Sequence, residues 1–193
     1  FIVKRLKRGQ PLAAAEEVYR GAREDVAVSP FALSDASGQR WLGAVRAPTF
    51  FTSTYVVFPD GAAPLDIPVP PKSTLAGIHE GLLLINLNED WAPAGAAETF
   101  RAGDVAAFSW SEFLKTRRLP AVSLAFRPGT RQAVQEVAVA QGGVLLNLSD
   151  NVSTQVLRLD VVDGRWTSQA VSLPDKGSAS IVFADEEERT AFI

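Results

Sequence analysis

The chain contains no cysteine, and this absence excludes several kinds of protein at once. Without thiols there is no disulfide scaffold, no Cys-containing zinc finger and no cysteine nucleophile. The absence does not fix the compartment, because exported proteins do not need disulfides. We therefore leave the location open between cytoplasm and periplasm.

Long apolar runs are also missing. No stretch approaches the roughly 18 to 20 apolar residues that a membrane-spanning helix requires. No basic segment followed by an apolar leader opens the sequence either. With 193 residues, 47% hydrophobic and 21% charged, the composition is that of an ordinary globular chain. We expect a soluble protein without a membrane partner.

Positive charge is sparse, since the formal net charge is −3. No broad basic field exists to attract phosphate groups, so nucleic acid is not an expected partner. Lys115, Arg117 and Arg118 form the central basic cluster. We interpret this cluster as a solvated surface turn rather than an anion site.

What the sequence does have is a succession of short apolar runs rich in Val, Leu, Ile, Phe and Thr, separated by Gly, Pro, Asp and Asn. This pattern is typical of an all-β chain. The runs that we predict as strands are 26–33, 40–47, 50–58, 82–87, 105–110, 121–127, 134–140, 144–148, 155–161 and 181–184. In the run 134–140, the spacing of Val134, Val137 and Val139 indicates a bulge.

Turn chemistry agrees with antiparallel pairing. Asp60-Gly61 and Asp163-Gly164 lie between strand-like runs, where residues that tolerate positive φ favour two-residue hairpin turns. Ser37-Gly38 is a weaker example of the same pattern. These dipeptides predict hairpins rather than helical crossovers.

Two segments favour short helices. The first follows Pro11, is rich in alanine over residues 12–17 and is closed by Gly21; its Val18-Tyr19 pair is equally consistent with a strand end. The second is residues 112–115, for which Ser109 or Ser111 is a suitable N-cap. Over so few residues, tertiary context can override both preferences.

One internal repeat is visible. Residues 84–89 read LINLNE and residues 145–150 read LLNLSD, 61 positions apart. A repeated all-β pattern with strand pairs indicates a β-propeller, whose blades are four-stranded antiparallel sheets of roughly 40 to 50 residues. This chain would hold about four such blades. A jelly roll or a β-sandwich stays open as an alternative.

Motifs for catalysis are absent or incomplete. A hydrolase nucleophile elbow needs Gly-x-Ser-x-Gly, and the related segment Gly177-Ser178-Ala179-Ser180 lacks the second glycine, so we predict a loop there. His79 is the single histidine. The sequence His79-Glu80-Gly81-Leu82-Leu83 has leucine where a zinc helix needs its second histidine. We expect His79 at the start of a strand, hydrogen-bonded or solvated, rather than as a triad base.

Carboxylates could serve a propeller glycosidase, which needs two of them facing across a pocket. The candidates are Asp66, Glu89, Asp90, Asp104, Asp150 and Asp160. Most lie beside Gly, Pro or Asn, where roles in turns or strand ends suffice. The acidic run at residues 185–188 is expected to be a solvated loop.

Aromatic side chains could line a ligand site, although packing in the core or between blades is the more common role. The aromatic residues in question are Trp41, Phe50, Phe51, Tyr55, Trp91, Trp110 and Trp166.

Both ends of the sequence have the character of strands, FIVKRL at the start and TAFI at the finish. We expect a fragment truncated at both ends, forming a single partial propeller domain over residues 1–193. Its unpaired blade edges predict self-association of the isolated chain.

The order of segments resembles the later propeller blades of bacterial prolyl oligopeptidases, a family of serine peptidases that includes prolyl endopeptidases. The resemblance covers nearly the whole chain through IVKRLKRGQPL at residues 2–12, TFFTSTY at 49–55, HEGLLLINLNEDW at 79–91, LLNLSDNV at 145–152 and GRW at 164–166. The catalytic hydrolase domain of the family has no counterpart in this sequence.

The resemblance implies an unclosed, seven-bladed propeller that caps an α/β-hydrolase active site and admits only short peptides, typically cleaved after proline. It implies that the hydrolase domain of the same polypeptide and oligopeptide substrates are the partners. The parent would be a serine-type endopeptidase, whereas this chain would contribute no catalytic residue, no cofactor ligand and no metal ligand. The alternative function is a free-standing propeller or sandwich that binds a protein or peptide as a scaffold.

Overall fold

The structure is a computed structural model that describes residues 1–96, 98–151, 153–173, 178–185 and 191–193. Sixteen strands account for most of the secondary structure in these ranges. The strands are β1 (Ile2–Arg5), β2 (Glu16–Arg20), β3 (Ala27–Ser34), β4 (Arg40–Thr49), β5 (Thr52–Val57), β6 (Leu65–Ile67), β7 (Ser73–His79), β8 (Leu82–Leu87), β9 (Val105–Ser109), β10 (Val122–Phe126), β11 (Gln132–Ala140), β12 (Gly143–Asp150), β13 (Ser153–Val162), β14 (Arg165–Ala170), β15 (Phe183–Ala184) and β16 (Ala191–Phe192). A 3-10 turn (Leu12–Ala14) and one α-helix, α1 (Trp110–Thr116), complete the described elements.

The strands form three four-stranded sheets, in the orders β3-β4-β5-β6, β7-β8-β9-β10 and β11-β12-β13-β14. In each sheet the spatial order equals the chain order, so every sheet is an up-and-down antiparallel meander. Two further sheets, β1-β2 and β15-β16, have two strands each. Successive four-stranded meanders are the construction of propeller blades. The prediction of an all-β chain forming a partial β-propeller is confirmed. The sixteen described strands equal the number of strands in four four-stranded blades.

The chain divides into two compact units. The first unit comprises residues 1–33 and 41–72, and the second comprises 34–40 and 73–193. Each unit has its own buried apolar residues, as its strand patterns require.

In the first unit, a small core of Val3, Ala44 and Val56 joins β1, β4 and β5. A buried ion pair strengthens this region: the Arg46 side chain donates from Nε to both carboxylate oxygens of Asp25, at 2.7 and 2.8 Å. The Asp25 side chain is only 1% exposed, and its hydrogen bond to Arg46 raises the pKa of the guanidinium further. The pair fixes the chain just before β3 against β4.

In the second unit, one apolar cluster joins two neighbouring sheets. From the β7–β10 sheet it takes Leu84, Val105, Ala107 and Ala125, and from the β11–β14 sheet it takes Val139, Val144, Leu146, Leu148 and Leu159. The first strands of the two sheets, β7 and β11, lie against each other. On its other face, the β11–β14 sheet packs Leu145 and Val156 against Ile181. The β11–β14 sheet is therefore covered on both faces.

The 61-residue repeat occupies equivalent places in these two sheets. Its two copies lie on β8 and β12, the second strand of each meander. Leu84 packs on the side of the following sheet, and Leu145 packs on the side of the following segment around Ile181. Both first strands contain a bulge, at Leu75/Gly77 in β7 and at Val134/Glu136 in β11. The predicted repeat and the predicted bulge are both confirmed.

Helix α1 follows β9 directly. Ser109 is its N-cap, and its side chain accepts a hydrogen bond from the Glu112 N–H. Arg117 ends the helix in the left-handed conformation, with φ of 56°. Since a side-chain oxygen satisfies a free N–H of the first turn, the predicted cap at Ser109 explains where the helix begins.

The predicted helix after Pro11 is wrong beyond its first turn. Only Leu12–Ala14 form a 3-10 turn, and Glu16–Arg20 form β2. Pairing with β1, in which Val3 lies opposite Tyr19, supplies backbone hydrogen bonds that a short alanine-rich helix could not match. The alternative of a strand end at Val18-Tyr19 is confirmed.

The turn predictions have mixed outcomes. Asp163 and Gly164 form a two-residue hairpin loop with φ of 50° and 72°, as predicted. Asp60-Gly61 lies instead in a longer loop between β5 and β6, because β5 ends at Val57 and β6 begins only at Leu65. The Ser37-Gly38 turn joins β3 and β4, and there the Asp35 carboxylate accepts hydrogen bonds from the backbone N–H groups of Ser37 and Gln39.

Candidate functional site

The second unit contains a cavity of about 570 Å³ at the tips of two hairpins. One hairpin joins β7 to β8 and the other joins β11 to β12. The residues that line the cavity come from these tips, from β13 and from the end of the chain: His79, Glu80, Ala140, Gln141, Gly142, Gly143, Leu145, Arg158, Asp160 and Ala191. A volume of this size is within the usual range of ligand pockets.

The repeat brings the two hairpins to the same end of neighbouring sheets. His79 ends β7 and Ala140 ends β11, and these positions are 61 residues apart, like the two copies of the repeat. Glu80 and Gly81 close the first hairpin in the left-handed region, with φ of 49° and 74°. The cavity is thus a consequence of adjacent, similarly built meanders.

His79 lies at the wall of the cavity and is only 7% exposed. Its Nε2 atom is buried and has no hydrogen-bond partner among the described residues. The imidazole lies near the Trp166 ring, with centroids 6.3 Å apart. Burial lowers the pKa of His79, while the nearby Glu80 and Asp160 charges oppose that shift. The side chain is therefore neutral at pH 7.

These observations correct the expectation for His79. It stands at the end of strand β7, not at the start of a strand, and it is buried rather than solvated. Its ring packs against Trp166 because β14 belongs to the neighbouring sheet, which the sequence pattern alone does not reveal. The position that a zinc helix would need, Leu83, is fully buried in β8.

An ion pair on β13, between Arg158 and Asp160, forms another part of the wall. Arg158 Nε lies 3.0 Å from Asp160 Oδ2, and its Nη2 donates to Asp160 Oδ1 at 3.1 Å. The same nitrogen donates to the Gly142 carbonyl. The guanidinium therefore connects β13 to the tip of the β11–β12 hairpin. Half of the Arg158 side chain remains exposed, so its remaining N–H groups can meet a ligand.

Gly143 makes this arrangement possible. Its φ is +151°, and a Cβ atom there would lie 2.9 Å from both Arg158 Nε and Asp160 Oδ1, and 3.1 Å from the Leu159 carbonyl. Real Cβ atoms essentially never approach below 3.0 Å, so the ends of the Arg158 and Asp160 side chains would have to move. The lack of a side chain at the first position of β12 thus leaves room for the ion pair to reach the hairpin.

The lining of the cavity carries charges of both signs. Two carboxylates, one guanidinium and one neutral imidazole give the described lining a net charge of about −1 at neutral pH. Among the described residues, no serine, threonine or cysteine lines the cavity. The surplus of negative charge suits a ligand group that donates hydrogen bonds.

Three of the other candidate carboxylates make hydrogen bonds within the fold. Asp104 is 1% exposed and accepts from Arg127 Nη2 at 2.7 Å; this pairing raises the pKa of the guanidinium. Asp90 accepts from the Ala102 N–H, and Asp150 accepts from the Gln132 amide. Asp66 is exposed on β6 and Glu89 is half-buried beyond the end of β8. The contacts of Asp104, Asp90 and Asp150 agree with roles in turns and strand ends, and Asp160 alone among the six lines the cavity.

The aromatic candidates fall into two groups. Trp110 is 2% exposed and packs against Phe113 at 5.4 Å, while Trp91 packs against Phe100 at 6.0 Å. Tyr55 meets Phe31 edge to face, and Trp41 is half-buried on β4. Trp166 contacts the cavity histidine. In contrast, Phe50 and Phe51 are 85% and 82% exposed at the tip between β4 and β5.

The remaining predicted features lie away from the cavity. Lys115, Arg117 and Arg118 are exposed at the end of α1, in agreement with a solvated turn. Ser178 to Ser180 carry no regular structure, in agreement with the predicted loop, whereas Gly177 and residues 186–188 of the acidic run lie outside the described residues, as does Thr190 near the end of the chain.

Sequence reasoning did not find Arg158 or the glycines of the β11–β12 hairpin. The signal that could have found them is the repeat itself. Moving from His79 by 61 positions leads to Ala140, and the hairpin that follows it is Gln141-Gly142. Arg158 was recognisable only after β13 had been paired with β12, in which Arg158 lies opposite Leu145.

No group of three or more potential ligand side chains suited to a metal ion occurs among the described residues. Within the same ranges, no helix is both long and apolar enough to cross a bilayer.

Comparisons with known proteins identify relatives of this architecture. No protein-family model matches the sequence. Over 197 aligned residues the chain is 26% identical to "Uncharacterized peptidase y4nA" of Sinorhizobium fredii, with all of this chain and 27% of that protein covered.

Two solved structures share the fold. A post-proline cleaving enzyme from Rickettsia typhi matches 87% of this chain with a TM-score of 0.74 and 20% identity, over 25% of its own length. A structure from a study of two prolyl endopeptidases matches 98% of this chain with a TM-score of 0.67 and 13% identity, over 26% of its length. The chain thus spans about a quarter of each relative, and the resemblance to prolyl oligopeptidases inferred from the sequence is confirmed.

Proposed function

We propose that this chain, a partial β-propeller resembling those of prolyl oligopeptidases, is the non-catalytic part of a serine-type peptidase that controls which peptides reach the active site. The observation that carries the proposal is the match of the whole chain to about a quarter of a peptidase. The chain has the fold of the corresponding part of two enzymes named for cleavage at proline. In this proposal, catalysis belongs to an α/β-hydrolase domain of the same polypeptide, outside these residues.

The chemistry of the described residues supports a non-catalytic role. The sequence has no Gly-x-Ser-x-Gly elbow, and its single histidine is buried and neutral. A triad base must hold a serine hydroxyl on one ring nitrogen and a carboxylate on the other. His79 instead packs against Trp166 and has no partner for Nε2 among the described residues.

Control of access follows from the stiffness of stacked sheets. Close-packed blades such as those joined by Leu84 and Leu146 deform little, so a folded protein could not pass between them and the catalytic domain. Short peptides would enter by motion between domains, which acts as a lid and leaves the chemical step unchanged. One of the two matched structures comes from work on inter-domain dynamics in the catalysis and specificity of prolyl endopeptidases.

The partners in this proposal are the hydrolase domain and oligopeptide substrates. The described cavity lining, with its surplus negative charge, offers a place for a donor group of such a peptide. Isolated from its partner domain, the chain would present unpaired strand edges, so we expect it to self-associate. Light scattering at high concentration tests this expectation, and a clean monomer would contradict it.

The direct test of the proposal compares the complete gene product with the 193-residue chain. Both are incubated with a short chromogenic peptide that contains proline. We expect cleavage by the complete protein and none by the chain alone. If neither cleaves, the proposal is wrong and a peptide-binding or protein-binding scaffold becomes the better interpretation; if the chain alone cleaves, its non-catalytic role is wrong.

A further inference from the structure

The tip between β4 and β5 differs from the other tight hairpins. Phe50 and Phe51 stand next to each other there, 85% and 82% exposed. The hairpin tips at Glu80-Gly81 and Asp163-Gly164 carry acidic residues and glycine instead, as the turn conformation favours. Two adjacent exposed aromatic rings invite aggregation, and turn geometry alone does not account for them.

The tip is held in place rather than loose. Thr49 and Thr52, on either side of the phenylalanines, share a hydrogen bond between their hydroxyl oxygens at 2.6 Å. The Phe51 N–H donates to Thr49 Oγ1 at 3.2 Å. Below the tip, the Ser53 N–H donates to the Pro71 carbonyl at 2.8 Å. Binding of a partner to these rings would therefore cost little conformational entropy, because the backbone that carries them is already ordered.

The sequence on either side of the tip contains no charged residues. From Ala47 to Pro59 the sequence contains no Asp, Glu, Lys or Arg. The centres of protein interfaces are depleted of charged residues and enriched in aromatic ones. The composition around Phe50 and Phe51 therefore fits a contact that is buried in the functional protein.

The size of this surface identifies the kind of partner. Two phenylalanine side chains bury about 300 to 500 Å² together. Stable association of separate chains usually needs at least about 1,200 Å². A contact this small is effective between parts of one polypeptide, where the linkage supplies a high effective concentration. The chain covers only 27% of the peptidase that it matches, so most of such a polypeptide lies outside these residues.

We propose that Phe50 and Phe51 insert into an apolar, uncharged surface of the same polypeptide outside the 193 residues described, and so dock the first unit onto the catalytic part. This inference rests on the proposed function for the existence of that part. The contact is a positioning device: it touches no reacting atom and sets where the propeller stands against its partner domain.

The test is photo-crosslinking in the complete protein. Phe51→p-benzoylphenylalanine places a reactive ketone on the ring, and irradiation followed by mass spectrometry maps the bond that it forms. We expect a crosslink within one molecule, to an apolar residue of the catalytic domain outside the 193-residue sequence; a crosslink to another blade of the propeller would overturn the proposal. A crosslink to a second copy, to an added proline-containing peptide or only to residues within the chain would overturn the proposal, and so would the absence of any crosslink.

A matched control uses the same probe at Leu12, which is 82% exposed in the same unit. Equal crosslinking of the same outside segment from Leu12 would show non-specific reaction and overturn the proposal. Peptide cleavage is measured separately on the unirradiated complete protein. Cleavage without the expected crosslink refutes the docking contact alone, whereas the crosslink without cleavage refutes the peptidase function alone.

A second variant removes the contact without a probe. In the complete protein, Phe50→Ser with Phe51→Ser should increase the rate of proteolytic nicking between the propeller and the rest of the polypeptide. The urea midpoint of the 193-residue chain should not change, because both rings are exposed there. An unchanged nicking rate would contradict the proposal.

Discussion

The β7–β10 sheet and the β11–β14 sheet follow the same path along the chain, yet they are stabilised by different means. Both are four-stranded meanders with a bulged first strand and a copy of the repeat on the second strand. The β7–β10 sheet depends on the buried Asp104–Arg127 pair and on the capped helix α1. The β11–β14 sheet has apolar clusters on both faces and carries its ion pair, Arg158–Asp160, half exposed at a hairpin.

The difference shows which features the blade topology requires. Apolar residues on the second strand recur in both sheets because they fill the space between neighbouring meanders. The hairpin ends do not recur: His79 occupies one and Ala140 the other. The hairpin ends thus differ between the sheets although both residues are buried, and the cavity between the tips is where function can be built.

The largest effect should come from the shared core. Leu146 is fully buried between the two sheets, so Leu146→Ala should lower the free energy of unfolding by about 3 to 4 kcal/mol through lost burial and a residual cavity. Urea denaturation of the 193-residue chain, followed by tryptophan fluorescence, measures it. Leu12→Ala, at an exposed site, should change stability by less than about 0.5 kcal/mol. Equal losses in the two variants would contradict a core at this place.

The second largest loss of stability should come from breaking the Asp104–Arg127 ion pair of the β7–β10 sheet. Arg127→Met leaves the Asp104 carboxylate buried without its main partner, and we expect a loss of about 3 kcal/mol. This value is at the low end for buried pairs because 29% of the Arg127 side chain is exposed. Removing the charge as well, in Asp104→Asn with Arg127→Met, should cost less than Arg127→Met alone. A double variant that is less stable than the single one would contradict this explanation.

The hairpins of the two sheets can be compared directly through their glycines. Gly143→Ala should cost about 2 kcal/mol, because the new methyl group collides with the Arg158–Asp160 pair and the backbone prefers glycine. Gly81→Ala meets no atom within 4 Å, so it should cost only about 1 kcal/mol for its positive φ. Urea midpoints of the two variants test the difference. Equal losses would mean that the ion pair does not need the glycine.

The smallest expected effect is a pH dependence of stability that arises from His79, on the β7–β10 side of the cavity. Burial holds the pKa of His79 below its ordinary value of 6.5, so the unfolded chain binds the proton first as pH falls. The contribution of neutral His79 to the free energy of unfolding is therefore fully present above about pH 7. It declines as the pH falls below about 6.5 towards the pKa of His79 in the folded chain. His79→Gln should lose this decline, and urea midpoints at pH 7.5 and 5.5 measure it. The chain has no other histidine, so an identical decline in the variant would refute the assignment.

Much of the fold could be predicted from residue patterns. Alternating and continuous apolar runs located strands such as Leu82–Leu87 with its observed bounds, and Asp163-Gly164 placed a hairpin correctly. The segment after Pro11 could not be predicted in this way. Its alanine content favours helix locally, while the pairing of Val3 with Tyr19, a long-range contact, decides in favour of a strand.

The candidate site was less accessible to sequence reasoning. His79 was recognised as a singular residue, but its burial depends on Trp166, which is 87 positions away in another sheet. Arg158 and Asp160 are ordinary charged residues on a strand until the β12–β13 pairing brings them beside Gly143. Packing between sheets, rather than any motif, creates the cavity.

The most direct test of a gating propeller uses one peptide in two forms. A short proline-containing peptide is supplied free, and the same sequence is placed in an exposed loop of a stable folded host. With the complete gene product, we predict rapid cleavage of the free peptide and no cleavage of the folded host, as followed by mass spectrometry. Equal cleavage of both forms would show that access is not restricted and would contradict the account.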